Sequence, residues 1–436
     1  MIPFFLLKLW KGRDYSVFNP VDNREYTVNY AGFRILEKCD GTHTPEEIVG
    51  VIVRDFGKTE NEAIGYVSQF LDSMTRHGMI AWRKETVNNV PDWGPPTTVF
   101  WDITRRCNLL CSHCYNIEKQ PRGDELSTEI VKRIVEELSA YGVSNIVFSG
   151  GEPFLRKDFL AIIQHVSAYA FQDVSIATNG VLVDGKGAKK LRKAGVNVQV
   201  SIDGDTAVLH DEIRGVSGAF DGAIRGIHLL QTVGVPVSVC TVVTKKNVNR
   251  IDRIIALMHD LHIDNYRVQG VMSIGRGKTN KADLRLTPAR MKRLVMQLET
   301  RAIPVSSYNF TLTDPPGGPV NFKGTGACAV ATSSCSITTE GTVVPCTYFW
   351  GIKGDNVRDH TFGWIWENSP VLQYFRSIRL DEVKGLCGDC RWLAHCHGGC
   401  KAENYVTGDI FSSNISCWVA DANRRSASKK KTLMKG

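Results

Sequence analysis

The sequence predicts an α/β protein in three parts: an N-terminal α+β domain of winged-helix character, a run of alternating strands and helices, and a cysteine-rich C-terminal domain. Three observations predict it. Between Thr98 and about Met272, six apolar strand-like runs (TVFWDIT, SNIVFSG, VSIATNG, NVQVSID, VPVSVCTVVT and NYRVQGV) alternate with helix-patterned segments such as TEIVKRIVEELSAYG. Such alternation means parallel strands joined by right-handed crossovers. Ahead of them, strand candidates lead into two helices with explicit start signals, and behind them eight cysteines, Cys328 to Cys417, fall in a stretch of weak apolar periodicity. With so little apolar pattern, that stretch needs another source of stability, and the thiols can supply it.

A chain of 436 residues is too long for one ordinary core, so roughly two to four domains are expected. The first spans 1–85, where DYSVF and REYTVNY read as strands around the turn NPVDN. Thr44, Pro45 and Glu47 form a capping box with proline at the first helical position, and Thr59 with Glu62 repeats the box. Residues 86–97 carry prolines and a glycine without periodicity and read as a linker. The alternating region covers 98–275, and ligand-binding residues of a parallel sheet gather at the C-terminal ends of its strands. A helix and connection follow over 276–325, the cysteine-rich domain over 326–420, and a small, polar, basic tail over 421–436.

Hydrophobic content of 43% and charged content of 22% are ordinary for a globular protein and exclude a disordered chain. A net charge of +8 spread over several domains reads as solvated surface, and no nucleic-acid partner is expected from it. The start, MIPFFLLKLWKG, places its apolar run before its first lysine, the reverse of a signal peptide, and is too short to span a bilayer. A cytoplasmic location without membrane attachment is therefore expected. There, thirteen clustered cysteines point to metal or cluster ligation, because the compartment keeps thiols reduced.

The first strand leads directly into CNLLCSHCY, which sets Cys107, Cys111 and Cys114 within eight residues. This spacing differs from a closed zinc site, which takes four protein ligands in spaced pairs. Three thiolates suit a four-iron cluster with one iron left open; a zinc site completed by His113 or a remote residue is the alternative.

CNLLCSHC resembles the CxxxCxxC signature of the radical S-adenosylmethionine enzymes, and the downstream strands carry that family's other marks in order. Gly150, Gly151, Glu152 and Pro153 stand where the family has GGEP, whose backbone meets the methionyl ammonium. Thr178, Asn179 and Gly180 close the third strand, and Ser201 with Asp203 closes the fourth, where relatives contact S-adenosylmethionine. Arg214 resembles the arginine that pairs with the methionyl carboxylate, and His113 occupies the slot near the adenine. The resemblance implies a partial (β/α)6 barrel. It also implies that the open iron chelates the methionine and that reductive cleavage yields a 5'-deoxyadenosyl radical, with electrons from a donor such as flavodoxin or ferredoxin.

The distal cysteines are similar to the SPASM extension, which holds two auxiliary four-iron clusters. Carried over, that resemblance assigns one cluster to Cys328, Cys335, Cys346 and Cys400 and the other to Cys387, Cys390, Cys396 and Cys417, three clusters in all, with both auxiliary clusters fully ligated. Cys39 and Cys240 lie outside every pattern and read as buried apolar residues. REYTVNYAGFRILEKCDGTHTPEEIVGVI resembles the PqqD-like recognition element with which ribosomal-peptide maturases hold a leader peptide. Such modules work by adding the leader as a strand to a sheet edge.

The expectation is therefore a maturase that binds a precursor peptide through residues 1–85 and installs a thioether or carbon-carbon cross-link. Sulfatase-maturing relatives carry an aspartate, proposed as general base, after the cysteine corresponding to Cys346; here Thr347 and Tyr348 follow, which argues against formylglycine formation and leaves Tyr348 as a candidate base. Two other readings stay open: a SPASM enzyme acting on a small molecule such as a modified tetrapyrrole, and a zinc-binding nucleic-acid regulator. The acidic or neutral helices TPEEIVGVIVRDFG and TENEAIGYVSQFLDSM count against the second, since they would repel phosphate.

Overall fold

The computed structural model describes residues 2–3, 6–11, 14–19, 24–39, 43–76, 80–81, 94–116, 124–299, 328–349, 351–390, 393–406, 408–414 and 417. Most of the expected linker, residues 300–325 of the connection and the basic tail lie outside them. Among the described residues, no helix is long and apolar enough to cross a membrane.

The N-terminal domain holds β1 (Ile2–Pro3), β2 (Leu6–Lys11), β3 (Asp14–Asn19) and β4 (Arg24–Asn29), then α1 (Tyr30–Lys38), α2 (Pro45–Phe56), α3 (Glu60–Arg76) and β5 (Ile80–Ala81). An antiparallel sheet runs in the order β2-β3-β4, and β1 pairs with β5. Both predicted capping boxes form: Thr44 and Glu47 exchange side-chain and backbone hydrogen bonds, and so do Thr59 and Glu62. The domain is richer than the sequence reading. The apolar start supplies β2, and a third helix begins inside REYTVNY because the Asn29 side chain accepts from the Gly32 backbone N–H at 2.8 Å and ends the strand as an N-cap. Ile35, Ile48, Ile52 and Val67 close its core.

The central region alternates as expected: β6 (Thr98–Thr104), α4 (Thr128–Tyr141), β7 (Asn145–Gly150), α5 (Phe159–Val166), β8 (Asp173–Thr178), α6 (Gly185–Ala194), β9 (Asn197–Ser201), α7 (Ala207–Arg214), α8 (Ala219–Thr232), β10 (Val237–Val243), α9 (Ile251–Asp260) and β11 (Asn265–Gly270). The six strands are parallel and lie in sequence order. Alternate residues (Val99, Trp101, Ile103, Ile146, Phe148, Val198 and Val200) are buried under the helices, which leaves the polar residues Asp102, Ser149, Gln199, Ser201 and Gln269 on the opposite, interior face.

After α10 (Arg276–Thr279), α11 (Lys281–Leu284) and α12 (Pro288–Glu299), the cysteine-rich domain contributes β12 (Ser334–Ile337) and β13 (Val343–Val344) to the same sheet, with β12 parallel to β6. It continues through α13 (Phe362–Asn368), α14 (Pro370–Ser377), α15 (Gly385–Gly388), α16 (Leu393–Cys396) and α17 (Lys401–Val406). Gln269 on β11 donates to Tyr348 beyond β13 at 2.8 Å, so the two ends of the eight-strand order meet across a curved interior. The stretch that reads as weakly periodic in sequence nonetheless supplies an apolar core. Trp366, Phe349, Phe362 and Leu372 are fully buried and join the core beneath the barrel strands.

Candidate active site

The loop carrying Cys107, Cys111 and Cys114 leaves the C-terminal end of β6 and is gripped from two sides. The Leu110 and Ser112 N–H groups donate to the carbonyls of Arg214 and Ile213 at the end of α7, each at 2.9 Å. The Arg276 side chain donates to the Cys111 carbonyl at 2.7 Å and its backbone N–H to the Cys114 carbonyl at 2.8 Å. The loop so held keeps the three thiols near enough to influence one another's charge. Burial pushes the Cys107 thiol up to about 11, and neighbouring Cys111, Glu152 and Cys114 add to the rise against a hydrogen bond from Leu109.

The four residues of GGEP extend β7 and dock on the strand beside it. Gly151 N–H donates to the Thr104 carbonyl at 2.6 Å and Glu152 N–H to the Arg106 carbonyl at 2.8 Å. A Cβ on Gly151 would stand 2.1 Å from the Arg106 carbonyl oxygen, so only glycine permits this approach. The Glu152 carboxylate is buried and accepts from Thr178 Oγ1 and Asn179 N at 2.8 Å and from Phe154 N at 3.2 Å. It is a staple between the ends of β7 and β8. Pro153 starts the single turn that follows, and the Asn179 amide reaches Asn108 inside the cysteine loop at 2.8 Å.

Ser201 ends β9 on the interior face, and Asp203 beyond it is fully buried. Arg214 Nε lies 2.8 Å from Asp203 Oδ2, and Arg214 Nη1 lies 3.6 Å from Cys111 Sγ. Both contacts hold Arg214 within the site, so its first duty is to Asp203 and the cysteine loop, in addition to any ligand carboxylate. His113 Nε2 lies 3.6 Å from the same Asp203 oxygen. Burial lowers His113 to about 4, against Asp203, with Arg214 and Arg276 adding to the drop. The ring is thus neutral at physiological pH, and its buried Nδ1 has no hydrogen-bond partner among the described residues. Such an orphaned polar atom fits a ligand-contacting position.

The distal cysteines form two groups. Cys346 and Cys400 each feel Cys328 as a neighbouring thiol, and Cys396 feels Cys417, Cys387 and Cys390. His397, Gly398 and Gly399 all adopt positive φ, which turns the chain so that Cys396 joins one group and Cys400 the other. The Lys401 ammonium sits among both groups, with burial lowering its proton affinity and Cys328, Cys396, Cys387 and Cys400 raising it. Cys335 lies on β12. It pairs with Val99 in register, shares that residue's buried face, and has the Arg376 guanidinium as its charged neighbour. Strand alternation turns the Cys335 side chain onto the buried face it shares with Val99.

Tyr348 faces the barrel interior, accepts from Gln269, and meets Tyr115 edge-on with ring centroids 5.4 Å apart. Burial, with Cys400 and Cys346 beside it, raises its hydroxyl far above the ordinary range. Sequence reasoning missed Asp102 on the same interior wall and Arg276 behind the loop. A lone acid in the apolar strand TVFWDIT was the available signal for the first.

Comparison with known proteins agrees with this arrangement. Residues 101–279 match the radical SAM superfamily, residues 328–391 the SPASM iron-sulfur cluster-binding domain, and residues 15–80 coenzyme PQQ synthesis protein D (PqqD). An AdoMet-dependent heme synthase of Methanosarcina barkeri is 32% identical over 344 residues, covering 74% of this chain and 96% of its own. Mycofactocin maturase MftC of Mycobacterium tuberculosis is 31% identical over 319 residues, covering 72% and 80%. In structure the chain is similar to Streptococcus suis SuiB, solved bound to the precursor peptide SuiA, with a TM-score of 0.61 at 17% identity over 94% of this chain and 97% of that one.

Proposed function

The chain belongs to the radical SAM superfamily, with a C-terminal SPASM domain and an N-terminal PqqD domain, and on that premise we propose that it is a peptide maturase. It holds a precursor peptide by its leader and installs a thioether or carbon-carbon cross-link in the core. The observation that carries this reading is the PqqD match over residues 15–80, together with the three-stranded sheet at the N-terminus, whose edges β2 and β4 each offer a leader a strand to pair with.

In this reading Cys107, Cys111 and Cys114 hold the first of three four-iron clusters, with Cys328, Cys346 and Cys400 holding the second and Cys387, Cys390, Cys396 and Cys417 the third. When bound, the first cluster and S-adenosylmethionine supply a 5'-deoxyadenosyl radical for hydrogen abstraction. The chain's own residues position the reactants. Gly150, Gly151 and Pro153 shape the backbone beside the cysteine loop, Glu152 and Asn179 fix it to the next strand, and Ser201, Asp203, Arg214 and His113 line the opposite side. An external one-electron donor such as a flavodoxin or ferredoxin is the second partner.

The heme synthase likeness favours a second reading, in which the substrate is a tetrapyrrole. Titrating the full chain with fluorescent synthetic leaders and, separately, with an iron coproporphyrin separates the two. The proposal expects saturable leader binding that is lost when β2 and β4 edge residues become proline; porphyrin binding without leader binding would overturn it.

A further inference from the structure

We propose that the carboxylate of Asp102 is the proton acceptor of the cross-linking reaction, an assignment that rests on the maturase reading above. Asp102 sits on β6 opposite Ser149, and Thr104 of β6 pairs with Gly150, so the carboxylate projects into the barrel interior one pleat below the glycine backbone of the site. Ser149 Oγ donates to Asp102 Oδ1 at 2.8 Å, and Tyr115 Oη approaches the same oxygen at 3.4 Å. Among the described residues no hydrogen bond goes to Oδ2, and the residue is partly exposed to the interior. Tyr115 follows Cys114, and its ring meets that of Tyr348, two residues after Cys346. The carboxylate therefore lies on the wall that joins the first thiol group to the Cys328, Cys346 and Cys400 group, where a peptide side chain would have to stand to be within reach of both.

The chemistry needs an acceptor there. Hydrogen-atom transfer to the 5'-deoxyadenosyl radical leaves a carbon radical on the peptide, which bonds to the sulfur or carbon of a second side chain. Closing that bond releases one electron, taken by an iron-sulfur cluster, and one proton, taken by the Asp102 carboxylate. The peptide loses two hydrogens in total. Burial raises Asp102 to about 6, with Ser149, Arg105 and Tyr115 opposing the rise and Glu340 adding to it. A carboxylate with that affinity is largely ionised at neutral pH yet basic enough to receive a proton. Arg105 and Glu340 pair with each other at 3.0 Å, so neither neutralises it outright.

The test compares the holoenzyme with Asp102→Asn and Asp102→Glu, reading cross-linked peptide formed per 5'-deoxyadenosine. The proposal expects that ratio to rise with pH through about 6 in the unsubstituted enzyme, to fall roughly 100-fold or more in Asp102→Asn, and to recover in part in Asp102→Glu. An unchanged ratio in Asp102→Asn overturns it, and so does an equal, pH-independent fall in both variants, which is what a structural role would give. If no peptide is cross-linked even by the unsubstituted enzyme, the maturase reading fails separately. Infrared difference spectra against Asp102→Asn then still decide the carboxylate's chemistry, since a protonated carboxyl band titrating near 6 supports a proton-accepting Asp102 and one titrating near 4 overturns it.

Discussion

Arg214 and Asp203 form a buried ion pair, Nε to Oδ2 at 2.8 Å, and the same guanidinium extends Nη1 to 3.6 Å from the Cys111 sulfur. Burial alone would raise Asp203, but Arg214, His113 and His210 outweigh it and hold the carboxylate below its usual range. The end of β9 is thereby coupled to the cysteine loop after β6. Arg214→Gln removes the counter-charge from a fully buried carboxylate, a loss on the order of 3–5 kcal/mol. Denaturant titration should show that destabilisation together with weakened S-adenosylmethionine binding. Arg214→Lys should rescue little, since one ammonium cannot serve two directions as the planar fork does.

Glu152 offers a second test of the scaffold. Its carboxylate accepts from Thr178 on β8, from Asn179 just beyond it, and from Phe154 in its own following turn. Glu152→Gln turns one acceptor into a donor facing donors, which should cost about 1–3 kcal/mol and loosen the glycine backbone of the site. Unfolding midpoints and S-adenosylmethionine affinity should fall together.

The two distal thiol groups predict different outcomes for neighbouring cysteines. Cys346→Ala should cost about four irons per chain after anaerobic reconstitution, and Cys335→Ala should cost none, because its thiol faces the core beside Val99. Equal loss from both would show that Cys335 is a ligand.

Acid should destabilise the fold through His210. Its Nδ1 accepts the Asp203 backbone N–H at 3.1 Å, which requires a neutral ring, and burial, with Arg214 adding, lowers it to about 4 from an ordinary 6.5. The unfolded chain therefore binds the proton first. This contribution is fully present above about pH 6.5, is lost as pH falls toward about 4, and amounts to roughly 3 kcal/mol. Urea midpoints across that range should decline, and His210→Gln should flatten the decline.

Much of this architecture was legible in the sequence because its signals are local. Each of the six barrel strands is an apolar run bounded by turn residues, and Thr44 with Glu47 and Thr59 with Glu62 announce their helices within four positions. The cysteine loop and GGEP were visible as motifs. What escaped depends on distant partners or on competing local preferences. REYTVNY has strand composition throughout, yet the Asn29 side chain caps a helix at its end. The face on which Cys335 lies is not legible among its neighbouring cysteines, because it is set by pairing with a strand more than two hundred residues earlier. The apolar core of the cysteine-rich domain has no clean period because Phe349, Phe362, Trp366 and Leu372 come from short segments that pack on the barrel.

The central claim is tested most directly by incubating the anaerobically reconstituted chain with S-adenosylmethionine, a reductant and the short peptides encoded beside its gene, then weighing the peptides. The account predicts 5'-deoxyadenosine together with a peptide lighter by about 2 Da, the mass of two hydrogens lost on cross-linking, from a protein carrying about twelve irons. The same iron content and 5'-deoxyadenosine with every peptide unchanged would contradict it.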